Sequence, residues 1–357
     1  MRVMAFANQK GGCGKTTTAV NLAAALAHLG QRVLLIDSDP QGHATLALGL
    51  GERDFSLSTY DLLLTSDILV EDARLEIAPR LHLVPAGVEL SAIESRLAGT
   101  DGREYRLRDT LRRSDLDHDV ILIDCPPAVG LLTFNALLAS GEAIVPVDAS
   151  TYSRQAVGKL HETLEVLRDR RGHEVTVRLL LSNFDLRSRY ARGLREDLAG
   201  RHGDALLNTI IHPTVRVREA ADRGVPVLAH DPRSRAARDF LDLARELGDQ
   251  TVDLSVSALD HWTALLHGPE VTPEGVRFVA EFPRASEVRV SGSFNGWSSR
   301  GTPLYRREDG RWECWLPVAP GVHQYRFIVD GVWLPDPHNE RQATNEFGGC
   351  NSLLTVG

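Results

Sequence analysis

Hydrophobic and polar positions follow two different patterns along the chain. In residues 1–250, nearly continuous apolar runs alternate with longer stretches whose apolar positions recur at helical spacing. Apolar runs rich in Ile, Leu and Val are typical of buried parallel strands, and the stretches between them predict covering helices. The predicted strands are residues 2–8, 33–37, 119–124, 143–147 and 175–181, and the predicted helices are 16–29, 154–171 and 234–247. This order predicts an α/β domain with a mostly parallel sheet wrapped by helices.

The pattern changes after residue 250. Residues 251–274 hold a short helix candidate at 256–266, followed by Gly-Pro and Thr-Pro-Glu-Gly, and we interpret them as a linker. Beyond it, apolar residues alternate with a period of two, and Asn-Gly and Asp-Gly pairs predict tight turns. Four of the five tryptophans lie in this part. We therefore expect two domains, 1–250 and 275–357, the second an all-β, immunoglobulin-like sandwich.

Composition and charge exclude several classes of protein. With 43% hydrophobic and 25% charged residues, the chain of 357 residues has the composition of an ordinary folded protein. A net charge of −8 argues against a surface coated with basic residues for nucleic acid. Because no window of ~18 apolar residues occurs, we expect no membrane span. The four scattered cysteines do not indicate a disulfide framework, and we expect a cytoplasmic location.

A glycine-rich loop carries the strongest chemical signal. The run Lys10-Gly11-Gly12-Cys13-Gly14-Lys15-Thr16-Thr17 follows a predicted strand and opens a predicted helix. Glycines let backbone N–H groups surround a phosphate, and the helix N-terminus adds positive charge. We expect Lys15 to bridge the β- and γ-phosphates of a nucleotide and the Thr16 hydroxyl to ligate Mg²⁺. Cys13 is either a redox-active thiol or simply a small side chain.

The additional lysine, Lys10, makes this loop resemble the deviant Walker A motif, KGGxGKT, of the ParA/MinD family of P-loop ATPases. The resemblance implies ATP and Mg²⁺ as cofactors, and a homodimer in which Lys10 reaches the partner's nucleotide. Asp37-Ser38-Asp39-Pro40-Gln41-Gly42 resembles the family's DxDPQG switch. By this likeness Asp37 supports the metal shell and Asp39 positions or activates water, unless one of them only caps a helix.

Two further segments extend the likeness, which covers residues 1–248. The run ending at Asp124 resembles the family's Walker B motif, which implies that Asp124 holds Mg²⁺ through water. Asn183 stands where family members place an adenine-side loop, although Asn at a strand end is also a common turn residue. Pro226 lies near the segment that lines the adenine pocket in this family.

Two arginine-rich stretches bear on DNA binding. Residues 166–201 hold nine arginines against five acids, and residues 211–238 hold six against three. Arg187 and Arg189 lie in the first stretch, and Arg216 and Arg218 lie in a segment similar to the family's VRLSEA. The resemblance to Soj-like proteins implies nonspecific DNA binding by the ATP-bound dimer, nucleoid association, and a ParB-like or another partner that stimulates the ATPase. The alternative is that these arginines are solvated or paired with acids.

The C-terminal domain resembles a glycogen-binding module. Its segments Ser291–Ser298 and His323–Trp333, with Asn351, are similar to those of the AMP-activated kinase β subunit and the early-set domains of starch-branching enzymes. Aromatic rings pack on sugar C–H faces, and hydroxyls need amide or guanidinium partners. The resemblance implies a glucan site made of Trp297, Arg326, Trp333, Phe347 and Asn351. The alternative is that the tryptophans only pack at a loop.

The combined expectation is a dimerising ATPase of partition or intracellular positioning that carries an α-glucan-binding module. This module would select cargo or sense polysaccharide. Two alternatives remain open. One is a conventional chromosome or plasmid partition ATPase whose sandwich contacts proteins. The other is a glucan-responsive regulatory ATPase that does not bind DNA.

Overall fold

A computed structural model describes residues 1–150, 153–248, 268–272, 275–307, 310–339, 341–345 and 349–356. The chain divides into two compact units, Met1–Leu259 and Asp260–Gly357, which are described separately. The helix candidate at 256–266 lies outside the described residues. Within the described residues, no helix combines the length and the apolar character that a bilayer crossing requires.

The first unit is built on one eight-stranded sheet with the order β3-β4-β2-β5-β1-β6-β7-β8. Its strands are β1 (Arg2–Phe6), β2 (Val33–Asp37), β3 (Leu75–Ala78), β4 (Leu81–Val84), β5 (Val120–Asp124), β6 (Glu142–Val147), β7 (Thr176–Ser182) and β8 (Leu206–Ile211). Every neighbouring pair is parallel except the β3–β4 hairpin at one edge. The prediction of a mostly parallel sheet is therefore confirmed.

Helices follow most of these strands. They are α1 (Lys15–His28), α2 (His43–Ala47), α3 (Thr59–Leu64), α4 (Val70–Ala73), α5 (Ile93–Arg96), α6 (Arg106–Arg113), α7 (Leu131–Ala139), α8 (Ser153–Arg171), α9 (Arg189–His202), α10 (Arg216–Ala221), α11 (Val227–His230) and α12 (Arg235–Leu247). Helix α1 is an almost uninterrupted series of buried alanine, leucine and valine residues, because it lies against the middle of the sheet.

Strand register places the chemically active segments at one edge of the sheet. Strand β5 lies between β1 and β2, and all five residues of β2 and of β5 are buried. Phe6 pairs with Asp124, and Asp37 pairs with the same residue from the other side. The three strands therefore end at one level, and the loop after β1 and the two aspartates share the carboxyl edge where open α/β sheets bind ligands.

The second unit is all-β, as predicted, and its strands form two antiparallel sheets. They are β9 (Glu270–Thr272), β10 (Gly275–Ala280), β11 (Val288–Gly292), β12 (Thr302–Pro303), β13 (Tyr305–Arg306), β14 (Trp312–Leu316), β15 (Gly321–Val329), β16 (Val332–Leu334), β17 (Gln342–Thr344) and β18 (Cys350–Val356). One sheet has the order β13-β14-β10-β9, and the other has β12-β11-β15-β18-β17 with β16 beside β15. Buried aromatic and aliphatic side chains, Phe278, Tyr325 and Phe327 among them, form its core.

Some short strands lie where the apolar pattern gave no signal. Strands β3, β4 and β8 were not predicted, and β8 contains the polar pair Asn208-Thr209, which interrupts its apolar run. Strand β9 falls inside the range expected to be linker. It pairs antiparallel with β10, and the Thr272 hydroxyl donates a hydrogen bond to the Gly275 carbonyl at 3.0 Å.

Candidate nucleotide and glucan sites

The glycine loop forms an open concavity between β1 and α1. Gly12 and Gly14 have φ values of 74° and 95°, in the left-handed region that favours glycine. A Cβ atom placed on Gly11 or Gly12 would meet no atom within 4 Å, so both residues border free space. Helix α1 begins directly after Gly14 without a side-chain cap. Its uncapped N–H groups and the loop therefore suit an anionic phosphate.

Gly14 also fixes the loop to the sheet. A Cβ atom at this position would lie 2.6 Å from the Ser182 hydroxyl oxygen, at the end of β7. Only glycine therefore allows both the left-handed backbone and this close approach. Sequence analysis did not identify Ser182, because the contact joins segments far apart in the chain.

The Lys15 and Cys13 side chains and the Thr17 carbonyl of the loop segment differ in their contacts. Lys15 is buried, and its ammonium group donates to the Lys10 carbonyl at 3.3 Å across the loop. The Thr17 carbonyl accepts a hydrogen bond from Asn21 at 2.8 Å. Cys13 is 1% exposed, and burial raises the pKa of its thiol. Less thiolate is then present, which supports the interpretation of Cys13 as a small side chain rather than a redox group.

Asp124 is fully buried at the end of β5. Neither of its carboxylate oxygens has a hydrogen-bond partner among the described residues. Burial raises the pKa of Asp124 well above its usual value, and the charge of Asp37 adds to the shift. Thr16 and Lys15 act on it in the opposite direction. A buried carboxylate with free lone pairs beside a threonine hydroxyl suits a divalent cation.

Asp37 and Asp39 are satisfied within the protein. Both oxygens of Asp37 accept hydrogen bonds, one from the Thr45 backbone and hydroxyl at 2.9 and 2.8 Å, the other from the Asp39 N–H at 3.1 Å. Burial raises the pKa of Asp37 to about 6. Asp39 accepts from the Gln41 N–H at 3.0 Å. These contacts support the alternative that Asp37 anchors the start of α2, while Asp39 keeps a free oxygen.

No group of three or more His, Cys, Asp or Glu side chains in the described part of the chain converges on a metal position. A cation at Asp124 would therefore take most of its ligands from water and phosphate oxygens. This coordination is usual for Mg²⁺, which dehydrates reluctantly and keeps several waters.

Lys10 is held within its own chain. Its ammonium group forms an ion pair with Asp148, just after β6, and a hydrogen bond of 2.5 Å with the Ser150 hydroxyl. Burial opposes ionisation of Asp148, but hydrogen bonds from Lys10 and neighbouring serines keep its pKa below the usual value. Sequence analysis did not identify Asp148.

The two residues expected near adenine lie at the same edge of the sheet. Asn183 follows β7 with a φ of 52° and is exposed. Its side chain makes no hydrogen bond to another described residue, so the amide is available for a ligand. Pro226 is buried and precedes α11, and the next N–H, that of Val227, donates to Asn21 of α1 at 2.7 Å.

The four candidate DNA-binding arginines divide into two pairs. Arg187 binds Asp185 at 2.7 Å, and this hydrogen bond lowers the pKa of Asp185 to about 2. Arg216 pairs with Glu219 at 2.8 Å and with Asp231 at 3.4 Å. Arg189 and Arg218 are exposed and form no ion pair with any described acid. Of the four candidates, Arg189 and Arg218 are therefore the two that can bind an external phosphate without first breaking an ion pair.

A contact between two glycines joins the segment after α2 to the turn after the arginine-bearing helix α10. A Cβ atom on Gly224, after α10, would lie 2.5 Å from the Cα of Gly49, after α2. Both glycines have positive φ, 67° and 83°. The two backbones therefore touch without an intervening side chain.

The second unit has a pocket of about 920 Å³ that brings predicted residues together. Its walls include Trp297, Arg326, Trp333 and Asn351, as well as Gln324, Asn345, Ser293, Val322 and Thr344, which sequence analysis did not single out. The two indole rings lie 6.2 Å apart at 40° to each other. Phe347 lies outside the described residues. Two aromatic faces with amide and guanidinium neighbours suit a sugar.

Comparison with known proteins identifies the first unit. Residues 1–177 match the family described as "AAA domain". The chain is 38% identical over 247 residues to the sporulation initiation inhibitor protein Soj of Bacillus subtilis, covering 69% of this chain and 98% of Soj. It is 37% identical over 261 residues to the chromosome partitioning protein ParA of Caulobacter vibrioides, covering 72% and 98%. The chain belongs to the ParA/Soj family of P-loop ATPases.

A solved structure agrees with membership of the ParA/Soj family. Cobyrinic acid a,c-diamide synthase of Mycobacterium smegmatis, with a bound ATP analogue and magnesium, superimposes with a TM-score of 0.59 at 33% identity. The match covers 69% of this chain and 93% of that protein. Beyond the ParA-like unit, residues 281–357 match the family described as "Glycogen recognition site of AMP-activated protein kinase". The sequence resemblances of both units are therefore confirmed.

The close approach of Gly14 generates a prediction. Gly14→Ala should lower the free energy of unfolding by about 1–3 kcal/mol and abolish nucleotide binding, because its Cβ strains the loop against Ser182. Gly158→Ala is the matched control, since Gly158 in α8 has open space around it, and should be neutral or stabilising by up to about 1 kcal/mol. Urea denaturation and titration with a fluorescent ATP analogue measure both effects. Wild-type nucleotide affinity in Gly14→Ala would contradict the prediction.

Proposed function

We propose that this protein is an ATP-switched homodimer that binds DNA nonspecifically through its first unit and an α-glucan through its second. The observation that carries the first half is the buried Asp124 carboxylate, which has no hydrogen-bond partner among the described residues, beside an open phosphate loop. The observation that carries the second half is the pocket with paired tryptophans.

The nucleotide site follows from the geometry of the carboxyl edge. The open loop at Gly11 and Gly12 receives the phosphates, and Lys15, whose ammonium group donates to a loop carbonyl in the absence of a ligand, turns to the β- and γ-phosphates. Thr16 and Asp124 hold Mg²⁺, which supplies positive charge to the phosphate oxygens. Asp39 uses its free oxygen to orient the water that attacks the γ-phosphorus, giving ADP and phosphate. Asp37 holds α2 through Thr45 and so acts indirectly.

Dimerisation requires Lys10 to change partners. In the single chain Lys10 pairs with Asp148, and both side chains are partly exposed. A nucleotide phosphate of the partner subunit offers more negative charge than one carboxylate. Exchange of the ion pair for that phosphate therefore links the dimer to the triphosphate, and loss of the γ-phosphate weakens it.

The role of Asp39 can be tested by separating binding from hydrolysis. Asp39→Ala should keep ATP binding and the ATP-dependent dimer but lose at least about 100-fold in hydrolysis rate, because only water positioning is removed. Lys15→Ala should lose ATP binding itself. Phosphate release measures the hydrolysis rate, and light scattering with ATP measures the ATP-dependent dimer. A wild-type chain that stays monomeric with saturating nonhydrolysable ATP analogue would refute the switch.

DNA binding rests on the unpaired arginines. Arg189 of α9 and Arg218 of α10 are exposed and have no described acid as partner, so their binding to DNA phosphate does not require breaking an ion pair. Arg187 and Arg216 must first leave Asp185 and Glu219. A few such contacts give weak, salt-sensitive binding through counterion release.

Charge reversal tests this surface. Arg189→Glu/Arg218→Glu should weaken DNA binding of the ATP-bound dimer and lower the slope of log K against log salt by about 3.6, since two phosphate contacts are lost in each protomer and each contact contributes about 0.9. Arg96→Glu/Arg112→Glu, on exposed positions of α5 and α6, makes the same change in charge and should leave binding unchanged. Fluorescence anisotropy with random-sequence DNA gives both values. Equal losses in the two variants would show an effect of net charge alone.

Glucan binding is tested by substituting the two pocket tryptophans and, as a control, a third tryptophan outside the pocket. Trp297→Ala and Trp333→Ala should each weaken sedimentation with glycogen at least tenfold, because stacking on a sugar face is lost. Trp315→Ala is the control: Trp315 is 50% exposed but lies in the other sheet of the sandwich. Retention of glycogen by both pocket variants would refute the glucan site.

The two halves together support a role in the intracellular positioning of a glucan-containing cargo. A dimer that holds DNA while ATP-bound, and an α-glucan through its second unit, would tether such a cargo to the nucleoid until hydrolysis. ATPase rates measured with and without DNA, crossed with and without glycogen, test this assignment. Stimulation by glycogen without any DNA response would favour a glucan-responsive enzyme instead.

A further inference from the structure

Three carboxamide side chains line one wall of the sandwich pocket. They are Gln324 on β15, Asn345 after β17, and Asn351 on β18. Gln324 lies two residues from Arg326 on the same strand, so both side chains project from the same face of the sheet. Asn351 is 7% exposed, which leaves little room for its amide to turn freely.

The three amides form a chain of hydrogen bonds that starts at the backbone. The Gly349 N–H donates to Asn345 Oδ1 at 3.0 Å. Asn345 Nδ2 donates to Asn351 Oδ1 at 2.9 Å. Asn351 Nδ2 donates in turn to Gln324 Oε1 at 2.8 Å.

The backbone group sets the direction of the whole chain. A backbone N–H can only donate, so the Asn345 atom facing it must be oxygen, and its other end must be the NH₂ group. The same reasoning makes the next atom an acceptor at Asn351 and then at Gln324. Gln324 therefore ends the chain with its NH₂ group free, and this group makes no hydrogen bond to another described residue.

The pocket consequently presents donors on this wall. The Gln324 NH₂ group carries two N–H bonds, and the Arg326 guanidinium, held through Nη2 by the Trp333 carbonyl at 2.8 Å, has a buried Nε without a described partner. Donors of this kind recognise the lone pairs of sugar hydroxyl, ring or glycosidic oxygens.

We propose that Gln324 is a further glucan-contacting residue that donates to a sugar oxygen, and that Asn345 is a positioning residue that sets the direction of its amide. This inference rests on the glucan site proposed above and deepens it. It assigns the wall as a donor surface, so the glucan oxygens that face it act as acceptors.

Removal of the terminal donor is the first test. Gln324→Met keeps the length of the side chain but has no N–H, so the Kd for maltoheptaose should rise about tenfold, the effect of one lost hydrogen bond. Gln342→Met is the control. Gln342 pairs with Ser352, the residue after Asn351, and therefore faces away from Asn351. Isothermal titration calorimetry on the full chain measures each Kd.

Reversal of the chain is the second test. Asn345→Asp offers only acceptors, so Asn351 must turn to donate to it, and Gln324 must turn its oxygen into the pocket. The Kd should again rise about tenfold, although Gln324 and Asn351 are unchanged. Tyr305→Asp adds the same charge at an exposed position of β13, in the other sheet of the sandwich, and should bind like wild type.

The double variant distinguishes positioning from general damage. Gln324→Met/Asn345→Asp should lose about tenfold, not a hundredfold, because the donor is already turned away in Asn345→Asp. Urea denaturation of each variant should give an unfolding midpoint close to wild type. Multiplicative losses in the double variant would overturn the positioning role.

Two results separate this inference from the proposed function. If Trp333→Ala loses maltoheptaose binding while Gln324→Met binds like wild type, the glucan site stands and the donor role of Gln324 is wrong. If the wild-type chain itself does not bind maltoheptaose, the glucan site is refuted and this inference with it.

Discussion

The buried Asp124 carboxylate, to which no described residue donates a hydrogen bond, is the main constraint on the first unit. Leaving a buried acid unpaired destabilises a fold by several kcal/mol in general, unless a cation or a proton compensates it. Here this free-energy cost arises where β1, β2 and β5 end together, next to an open glycine loop. The central sheet therefore holds a site that is most stable when a cation and phosphate are present.

In the second unit, the corresponding constraint is the orientation of the amide side chains that line the pocket. A sugar site needs polar groups whose donor and acceptor ends are fixed before the ligand arrives, because an amide that turns freely loses entropy on binding. The N–H of Gly349 fixes three amides at once, through hydrogen bonds that each have ordinary length. The orientation of the amides along this wall thus depends on a backbone N–H group that does not itself line the pocket.

The sequence predicted what depends on local pattern. Strand β2 agrees to the residue because four consecutive apolar residues, 33–36, lead directly to Asp37, and the glycine loop is identifiable from its spacing. Strands β3, β4 and β8 were not predicted, because they are short or interrupted by polar residues. Asp148, 138 residues from Lys10, and Asn345 escaped because their contacts depend on folding, which spacing along a chain does not encode.

The contact between Gly49 and Gly224 has a mechanical consequence. Side chains between two segments absorb small displacements by changing rotamers, whereas backbones in direct contact leave no such slack. A shift of the segment after α2 by a few tenths of an ångström must therefore push the turn after α10 by a similar amount. The absence of two methyl groups thus couples the position of the segment after α2 directly to that of the turn after α10.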